Sequence, residues 1–67
     1  MSYELACFFV HETDNACLIE DPASSEQIWI PLNQVEERHG RRDSSGRFTG
    51  EGTIVMSDWI ARKKGLQ

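Results

Sequence analysis

The sequence predicts a mainly β domain: a small antiparallel barrel or curled sheet of four or five strands with one short C-terminal helix. Residues 3–11, YELACFFVH, are rich in aromatic and branched side chains, as strands are. Apolar residues occupy both faces of this segment and of the next one, so the sheet must curl until both faces are partly covered. Helix signals occur only in residues 57–66.

The first two strands are predicted to form a hairpin. A tight turn at Asp14-Asn15 separates strand 3–11 from a returning strand over residues 16–21. This turn places Cys17 opposite Glu12. On the resulting register, one side of the hairpin carries Leu5, Cys7, Phe9 and Leu18, and the other side carries Ala6, Phe8, Val10 and Ile19.

The two cysteines are predicted to be unlinked. Cys7 lies about five residues along the ladder from Cys17, which at roughly 3.3 Å per residue exceeds the Cα separation of about 7 Å that a disulfide allows. We expect both to be small buried side chains in a reducing compartment. Neither forms a metal-ligand spacing with His11 or His39, so we predict no metal and no cofactor.

The middle of the chain contains one more predicted strand, followed by a segment without a helix or strand period. A polar connection leads to a strand over residues 28–32, in which Trp29 faces away from the other apolar residues. Pro31 lacks an N–H, so this strand is expected at a sheet edge. Residues 33–52 show neither a helix period nor a strand period, and we expect a flexible loop over about 36–52.

The end of the chain carries a fourth strand, TIVM at residues 53–56, and then the helix. Ser57 is suited to cap the first helical turn, and basic residues crowd the last turn, where Gly65 suits a Schellman ending. A helix this short depends on tertiary contacts. We therefore expect Trp59 and Ile60 to pack it against the sheet.

The chain is predicted to form a single domain, residues 1–67, without catalytic activity. A chain of 67 residues leaves little room for an enclosed active site, and no nucleophile stands in a recognisable catalytic setting. The first residues lack a basic leader, and no segment has the roughly eighteen apolar residues of a membrane span. These features predict a cytoplasmic protein that makes no membrane contact.

Two motifs of the chain resemble a known group of proteins. The first motif is Trp29, Ile30, Pro31 and Gln34, and the second is Trp59, Ile60, Ala61, Lys64, Gly65 and Leu66. The combination is similar to that of short phage and prophage proteins, which pair a Trp-(Ile/Leu)-Pro-x-Ser-Gln strand with a C-terminal Trp-(Ile/Leu)-Ala-x-x-Lys-Gly-Leu helix. Asn33 stands here where those proteins usually have Ser. The resemblance implies a phage-type accessory protein in a host cytoplasm, a compact β domain with a terminal helix, and no catalytic residues.

Charge is divided along the chain. Residues 1–37 contain eight acidic residues and no Lys or Arg, whereas residues 38–67 contain seven basic and three acidic residues, so the halves carry −8 and +4 and sum to −4. One interpretation is internal pairing, with the basic segment lying over the acidic hairpin. Exposed pairs of this kind contribute about 0–1 kcal/mol each but reduce repulsion around a small domain.

A second interpretation is contact with nucleic acid. Arginines can bind phosphates bidentately, and an aromatic ring can stack on an unpaired base. The acidic overall charge argues against it, since nucleic-acid-binding domains are usually basic. The residues predicted to carry this contact are Arg38, Arg41, Arg42, Arg47 and Phe48.

A third interpretation is contact with a partner of positive charge. Carboxylates spread along a rigid hairpin would imitate phosphate charge and steer the protein to a basic host protein complex, as an inhibitor of host defence does. The residues predicted to carry this contact are Glu12, Asp14, Glu20, Asp21 and Trp29. Exposed strand edges also leave room for a dimer.

Overall fold

The computed structural model describes all residues, 1–67, and confirms the mainly β class. Five antiparallel strands form a single sheet in the order β3-β2-β1-β5-β4, and the sheet is not closed into a barrel. One turn of 3₁₀ helix, Leu32–Gln34, joins β3 to β4, and helix α1 ends the chain. The strands and the helix are β1 Ser2–Glu12, β2 Ala16–Glu20, β3 Gln27–Pro31, β4 Val35–Arg42, β5 Phe48–Ser57 and α1 Asp58–Lys63.

Strand β1 pairs with two neighbouring strands. Its residues 2–9 pair with β5, and its residues 8–12 pair with β2. A β-bulge at Val10 separates Phe9, which lies opposite Ile19, from the next paired residue. Because a bulge bends its strand and strengthens the local twist, it lets the two halves of the sheet turn towards each other around one core.

The predicted first hairpin is confirmed at its turn and wrong further along. The Thr13 N–H donates to the Ala16 carbonyl at 2.8 Å, and Glu12 lies opposite Cys17. Beyond that point the bulge shifts the register by one residue. Ile19 therefore joins the buried side of the sheet, whereas Leu18 faces the other way, the reverse of the predicted assignment.

The predicted flexible loop over 36–52 is wrong. Strands β4 and β5 form a long hairpin whose turn occupies only residues 43–47. The Asp43 carboxylate orders this turn by accepting hydrogen bonds from the Ser45 hydroxyl at 2.6 Å and from the Arg47 N–H at 3.1 Å. These hydrogen bonds also lower the pKa of Asp43.

The first half of β5 lacks the apolar alternation of a strand because Gly50 and Gly52 occupy its core-side positions. A Cβ placed on Gly52 would lie 2.5 Å from the Phe9 ring and 2.3 Å from the His39 carbonyl oxygen. Gly52 is therefore needed for space: the Phe9 ring packs directly on the β5 backbone. A side chain at this inward position would displace that ring from the core.

The helix ends as its sequence predicts. The Ile60 N–H donates to the Ser57 hydroxyl at 3.2 Å. At the other end Gly65 adopts φ 76°, and hydrogen bonds run from the Gly65 N–H to the Arg62 carbonyl and from the Leu66 N–H to the Ala61 carbonyl. This is the Schellman pattern. None of the helical segments is long and apolar enough to cross a membrane.

Trp59 does not pack the helix against the sheet, and that prediction is wrong. Its side chain is 58% exposed, and the Lys63 ammonium lies 4.8 Å from the ring centre. Ile60 and Ala61 turn inwards instead. Adjacent residues of a helix point about 100° apart, so a six-residue helix that buries these two leaves Trp59 at the side.

One side of the sheet faces the core and α1. The eleven buried residues are all apolar: Cys7, Phe9, Cys17, Ile19, Ile28, Ile30, Phe48, Ile54, Met56, Ile60 and Ala61. Both cysteines are free, as predicted. Burial raises the pKa of the Cys7 thiol to about 12 and raises that of Cys17 as well, so neither thiol is a reactive group at neutral pH. The other side of the sheet has no element packed on it.

Candidate binding surface

Arg38, which was predicted to bind nucleic acid, is joined to Glu12, which was predicted to bind a protein. The Arg38 Nη1 lies 2.5 Å from the Glu12 Oε1, and the two side chains are only 21% and 16% exposed. The bulge at Val10 makes this pair possible. It turns Glu12 to the core side of β1, whereas an uninterrupted strand would direct Glu12 outwards.

Arg47 is likewise used inside the protein. Its guanidinium donates to the Glu12 carbonyl oxygen and lies 3.5 Å from the Asp14 carboxylate. The turn of the β4–β5 hairpin therefore lies against the tip of the β1–β2 hairpin. The interpretation of internal charge pairing is confirmed for the pairs Arg38–Glu12 and Arg47–Asp14.

The structure places Phe48 in the core, away from any exposed stacking position. The side chain is 9% exposed, and its ring centre lies 5.2 Å from that of Phe9. The guanidinium groups of Arg38 and Arg42 lie over the ring at 4.7 Å and 4.4 Å. A base could stack on Phe48 only if these arginines first moved away.

Of the predicted nucleic-acid residues, Arg41 and Arg42 are the two that remain exposed. Arg42 covers Phe48 and lies 3.4 Å from the Gly46 carbonyl oxygen, while Arg41 lies opposite Thr49 near the end of edge strand β4. Arg41 and Arg42 project to opposite sides of β4, so they do not form the continuous basic surface of four arginines and one aromatic ring that the sequence predicts.

The side of the sheet that no element covers carries four glutamates, none of which pairs with Lys or Arg. We call it the outer face. Its positions follow from the registers and the two-residue period of strands. They include Trp29 on β3, Leu18 and Glu20 on β2, Glu4, Ala6, Phe8 and His11 on β1, Glu51, Thr53 and Val55 on β5, and Glu37, His39 and Arg41 on β4.

Four glutamates of the outer face surround a mostly apolar centre. Glu20 and Glu51 lie on either side of Phe8, and Glu4 and Glu37 lie on either side of Val55. Residues flanking one strand are about 10 Å apart, and the two rows are separated by four residues, roughly 13 Å along the strand. Arg41 is the one Lys or Arg among the outer-face positions, and it lies at their border.

Trp29 stands at one side of this surface. Its side chain is 43% exposed, lies opposite Leu18 on β2, and meets the edge of the His11 ring at a centroid distance of 6.2 Å. Val10, which precedes His11, is 45% exposed. Trp29 and Val10 are therefore exposed apolar side chains near the row of Glu20, Phe8 and Glu51, and Leu18, opposite Trp29, is half-buried.

The predicted protein-binding residues are divided between this surface and other places. Glu20 and Trp29 belong to the outer face. Glu12 is held in the internal ion pair, Asp14 is at the hairpin tip beside Arg47, and the Asp21 carboxylate accepts the Ala23 N–H in the turn after β2.

Sequence reasoning missed three glutamates of the outer face. Glu4 alternates with Tyr3 and Leu5, so the strand period alone would have directed it away from the core. Glu37 and Glu51 lie on strands whose sequence lacks the apolar alternation of a strand and predicts a loop.

The concavities of the surface are open clefts. One of about 280 Å³ lies beside β4 and is lined by Leu32, Val35, Glu36, Glu37, Arg38, Arg42 and Phe48. No group of three His, Cys, Asp or Glu side chains is arranged to hold a metal ion. What the molecule presents to a partner is therefore a sheet face and its edges.

Comparisons with models of protein families, with curated proteins and with solved structures found no match to this chain.

Proposed function

We propose that this protein is a non-catalytic binding module that docks its outer face on a basic surface of another protein. The observation that carries the proposal is the exposed Trp29 beside an uncovered sheet face framed by Glu4, Glu20, Glu37 and Glu51. A tryptophan that is half exposed in the free protein is a typical central contact of an interface. The surrounding carboxylates select a partner rich in Lys and Arg.

The separate positions of apolar and acidic side chains on the outer face support this proposal. Apolar contact from Trp29, Leu18 and Phe8 supplies affinity because it removes exposed carbon from water. Carboxylates at the border remain near solvent, where they accelerate the encounter with a basic partner and disfavour an acidic one. A basic groove that normally binds nucleic acid has the matching chemistry, so the proposed partners include the host nucleoprotein complexes suggested by the resemblance to phage proteins.

Contact with nucleic acid is the weaker proposal for this molecule. Arg38 and Arg47 already hold the hairpins together, and Phe48 contributes to the core. A nucleic-acid strand would have to bind through Arg41 and Arg42 while lying close to the acidic outer face. Its phosphates would be repelled there.

Site-specific cross-linking tests the proposal. A photoreactive residue replaces Trp29 in one variant and Trp59 in a matched control, since both tryptophans are exposed but lie on different parts of the molecule. The proteins are incubated in nuclease-treated lysate of the source cells or their host. We expect the variant at position 29 to cross-link to a protein segment rich in Lys and Arg, and the variant at position 59 to leave that segment unlabelled.

The same cross-link must depend on the outer-face carboxylates. Changing Glu20 and Glu51 to Arg is expected to abolish it, whereas Glu26→Arg, in the loop before β3, leaves it unchanged. Labelling of nucleic acid alone, labelling of a protein segment without basic residues, or equal labelling from positions 29 and 59 would overturn the proposal.

A further inference from the structure

Strand β4 forms an edge of the sheet whose outward backbone groups have no partner. It pairs with β5 alone, and none of the backbone hydrogen bonds formed outside the sheet and helix involves residues 36–42. The opposite edge, β3, has five residues and ends at Pro31, which has no N–H to offer. The eight-residue β4 is the longer edge and the one without proline.

The sequence of β4 is self-complementary in charge. The pairing of β4 with β5 has two irregularities. The first adds Glu36 to β4, and the second adds residues 50 and 51 to β5, so β4 itself has no inserted residue from Glu37 to Arg42. Glu37, His39 and Arg41 point to the outer face. Glu37 and Arg41 lie at equal distances from His39 and carry opposite charges.

We propose that β4 pairs antiparallel with β4 of a second copy of this chain around a twofold axis at His39. In this register Glu37 of each copy lies directly opposite Arg41 of the other, and the two His39 residues face each other at the axis. Opposite charges directly across a pair of strands are stabilising. The pairing joins two five-stranded sheets into one continuous sheet with a shared outer face.

Charge selects this register against its neighbours. A shift by one residue would place outer-face residues opposite core-face residues, which the pleat does not allow. A shift by two residues in one direction places Arg38 opposite Arg38 of the second copy. A shift by two in the other direction places Arg41 opposite His39 and Arg38 opposite Arg42, again without a Glu–Arg pair.

Charged side chains on an edge strand usually prevent association, because charges of one sign repel when two edges meet. An edge strand with Glu at one end of a segment and Arg at the other end instead favours association, because each Glu lies opposite an Arg of the second copy. Isologous interfaces require this kind of self-complementarity, since the same surface must match itself. The proposed dimer does not depend on the proposed partner of the outer face.

A charge swap tests the pairing. Sedimentation velocity on the full chain over a wide concentration range is expected to show a monomer–dimer equilibrium. Glu37→Arg and Arg41→Glu each convert both cross-strand pairs into repulsive ones, so each should weaken the dimer by about tenfold or more. The protein carrying both changes restores the attraction with the signs exchanged, and it should dimerise like the original.

Glu26→Arg and Arg62→Glu are the matched controls, because they change the same charges away from β4 and should leave the dimer unchanged. Circular dichroism checks that each variant folds. A chain that stays monomeric at every concentration overturns the proposal. So does a dimer that ignores the single changes, or a double variant that fails to recover.

A disulfide tests the register without altering charge. Residues that face each other in an antiparallel pair have Cα atoms about 4.5–5.5 Å apart, within reach of a disulfide. His39→Cys should therefore give a covalent dimer on mild oxidation, whereas Ser44→Cys in the turn should not. Cys7 and Cys17 are buried and do not compete. Equal cross-linking of both variants, or none at position 39, overturns the register.

Discussion

Arg38 on edge strand β4 reaches Glu12 at the far end of β1 and forms an ion pair with a distance of 2.5 Å. Through the registers, Arg38 is aligned with Ile54 and Leu5, seven residues before Glu12 along β1. On a flat sheet that separation would be roughly 23 Å. The ion pair therefore depends on the strong bend of the sheet, and it joins the acidic and basic halves of the sequence on the core side.

Removing one member of this pair should destabilise the fold. Glu12→Gln leaves the largely buried Arg38 without its carboxylate, and we expect the free energy of unfolding to fall by about 1–3 kcal/mol. Urea titration measures it. A double-mutant cycle with Arg38→Met should show coupling between the two residues, whereas additive effects would mean that they do not stabilise each other.

Gly52 should tolerate no side chain. In Gly52→Ala the new methyl group would overlap the Phe9 ring and the His39 carbonyl, so we expect a loss of about 2–4 kcal/mol. Gly46→Ala is the control: Gly46 also lies in the β4–β5 hairpin but has open space around it and a positive φ, which costs about 1 kcal/mol. Equal losses for the two variants would contradict close packing at Gly52.

The buried thiols should make stability fall at alkaline pH. Burial raises the pKa of Cys7 to about 12, while a thiol of the unfolded chain ionises at about 8.5. The unfolded chain thus releases its proton first, so the stabilisation is complete below about pH 8.5 and is lost as the pH rises towards about 12.

The comparison that isolates the thiols is between the protein and its Cys7→Ala/Cys17→Ala variant, with the free energy of unfolding measured at about pH 7 and about pH 10. The original protein should lose more stability than the variant over this interval. Parallel losses would show that the thiols contribute nothing to the pH dependence.

Trp29 should matter for binding more than for stability. Its side chain is 43% exposed, so Trp29→Ala is expected to change the free energy of unfolding by about 1 kcal/mol or less. Ile30→Ala, at the fully buried next position of the same strand, should cost about 2–4 kcal/mol. Thermal unfolding compares the two, and a large loss for Trp29→Ala would indicate a core residue.

The parts of the fold that could be predicted from sequence are those set by neighbouring residues. The turn after Thr13, the Ser57 cap and the Gly65 ending each depend on a few adjacent residues, and all three are confirmed. The bulge at Val10 has no such local signal. It follows from the need to bend β1 around the core, and it exchanged the predicted faces of Leu18 and Ile19.

The second hairpin was missed for a related reason. Its core positions include Arg38 and Gly52, which are not apolar, so the alternation that identifies a strand is absent. Arg38 can occupy a core-side position because it forms an ion pair with Glu12 there. Gly52 occupies one because the Phe9 ring takes up the volume that a side chain at position 52 would need. The candidate site could be predicted only in part, as Glu20 and Trp29. Glu37 and Glu51 depend on this hairpin, whereas the outward position of Glu4 follows from the alternation along β1.

Binding after charge reversal tests the central claim, that the outer face recognises a basic protein surface. The cross-linked partner is purified, treated with nuclease, and titrated with two variants that each reverse two charges: Glu20→Arg/Glu51→Arg and, away from the outer face, Arg42→Glu/Arg62→Glu. We expect the first variant to lose affinity by about tenfold or more and the second to bind at least as well as the original protein. Loss of affinity in the second variant and unchanged binding in the first would contradict the claim.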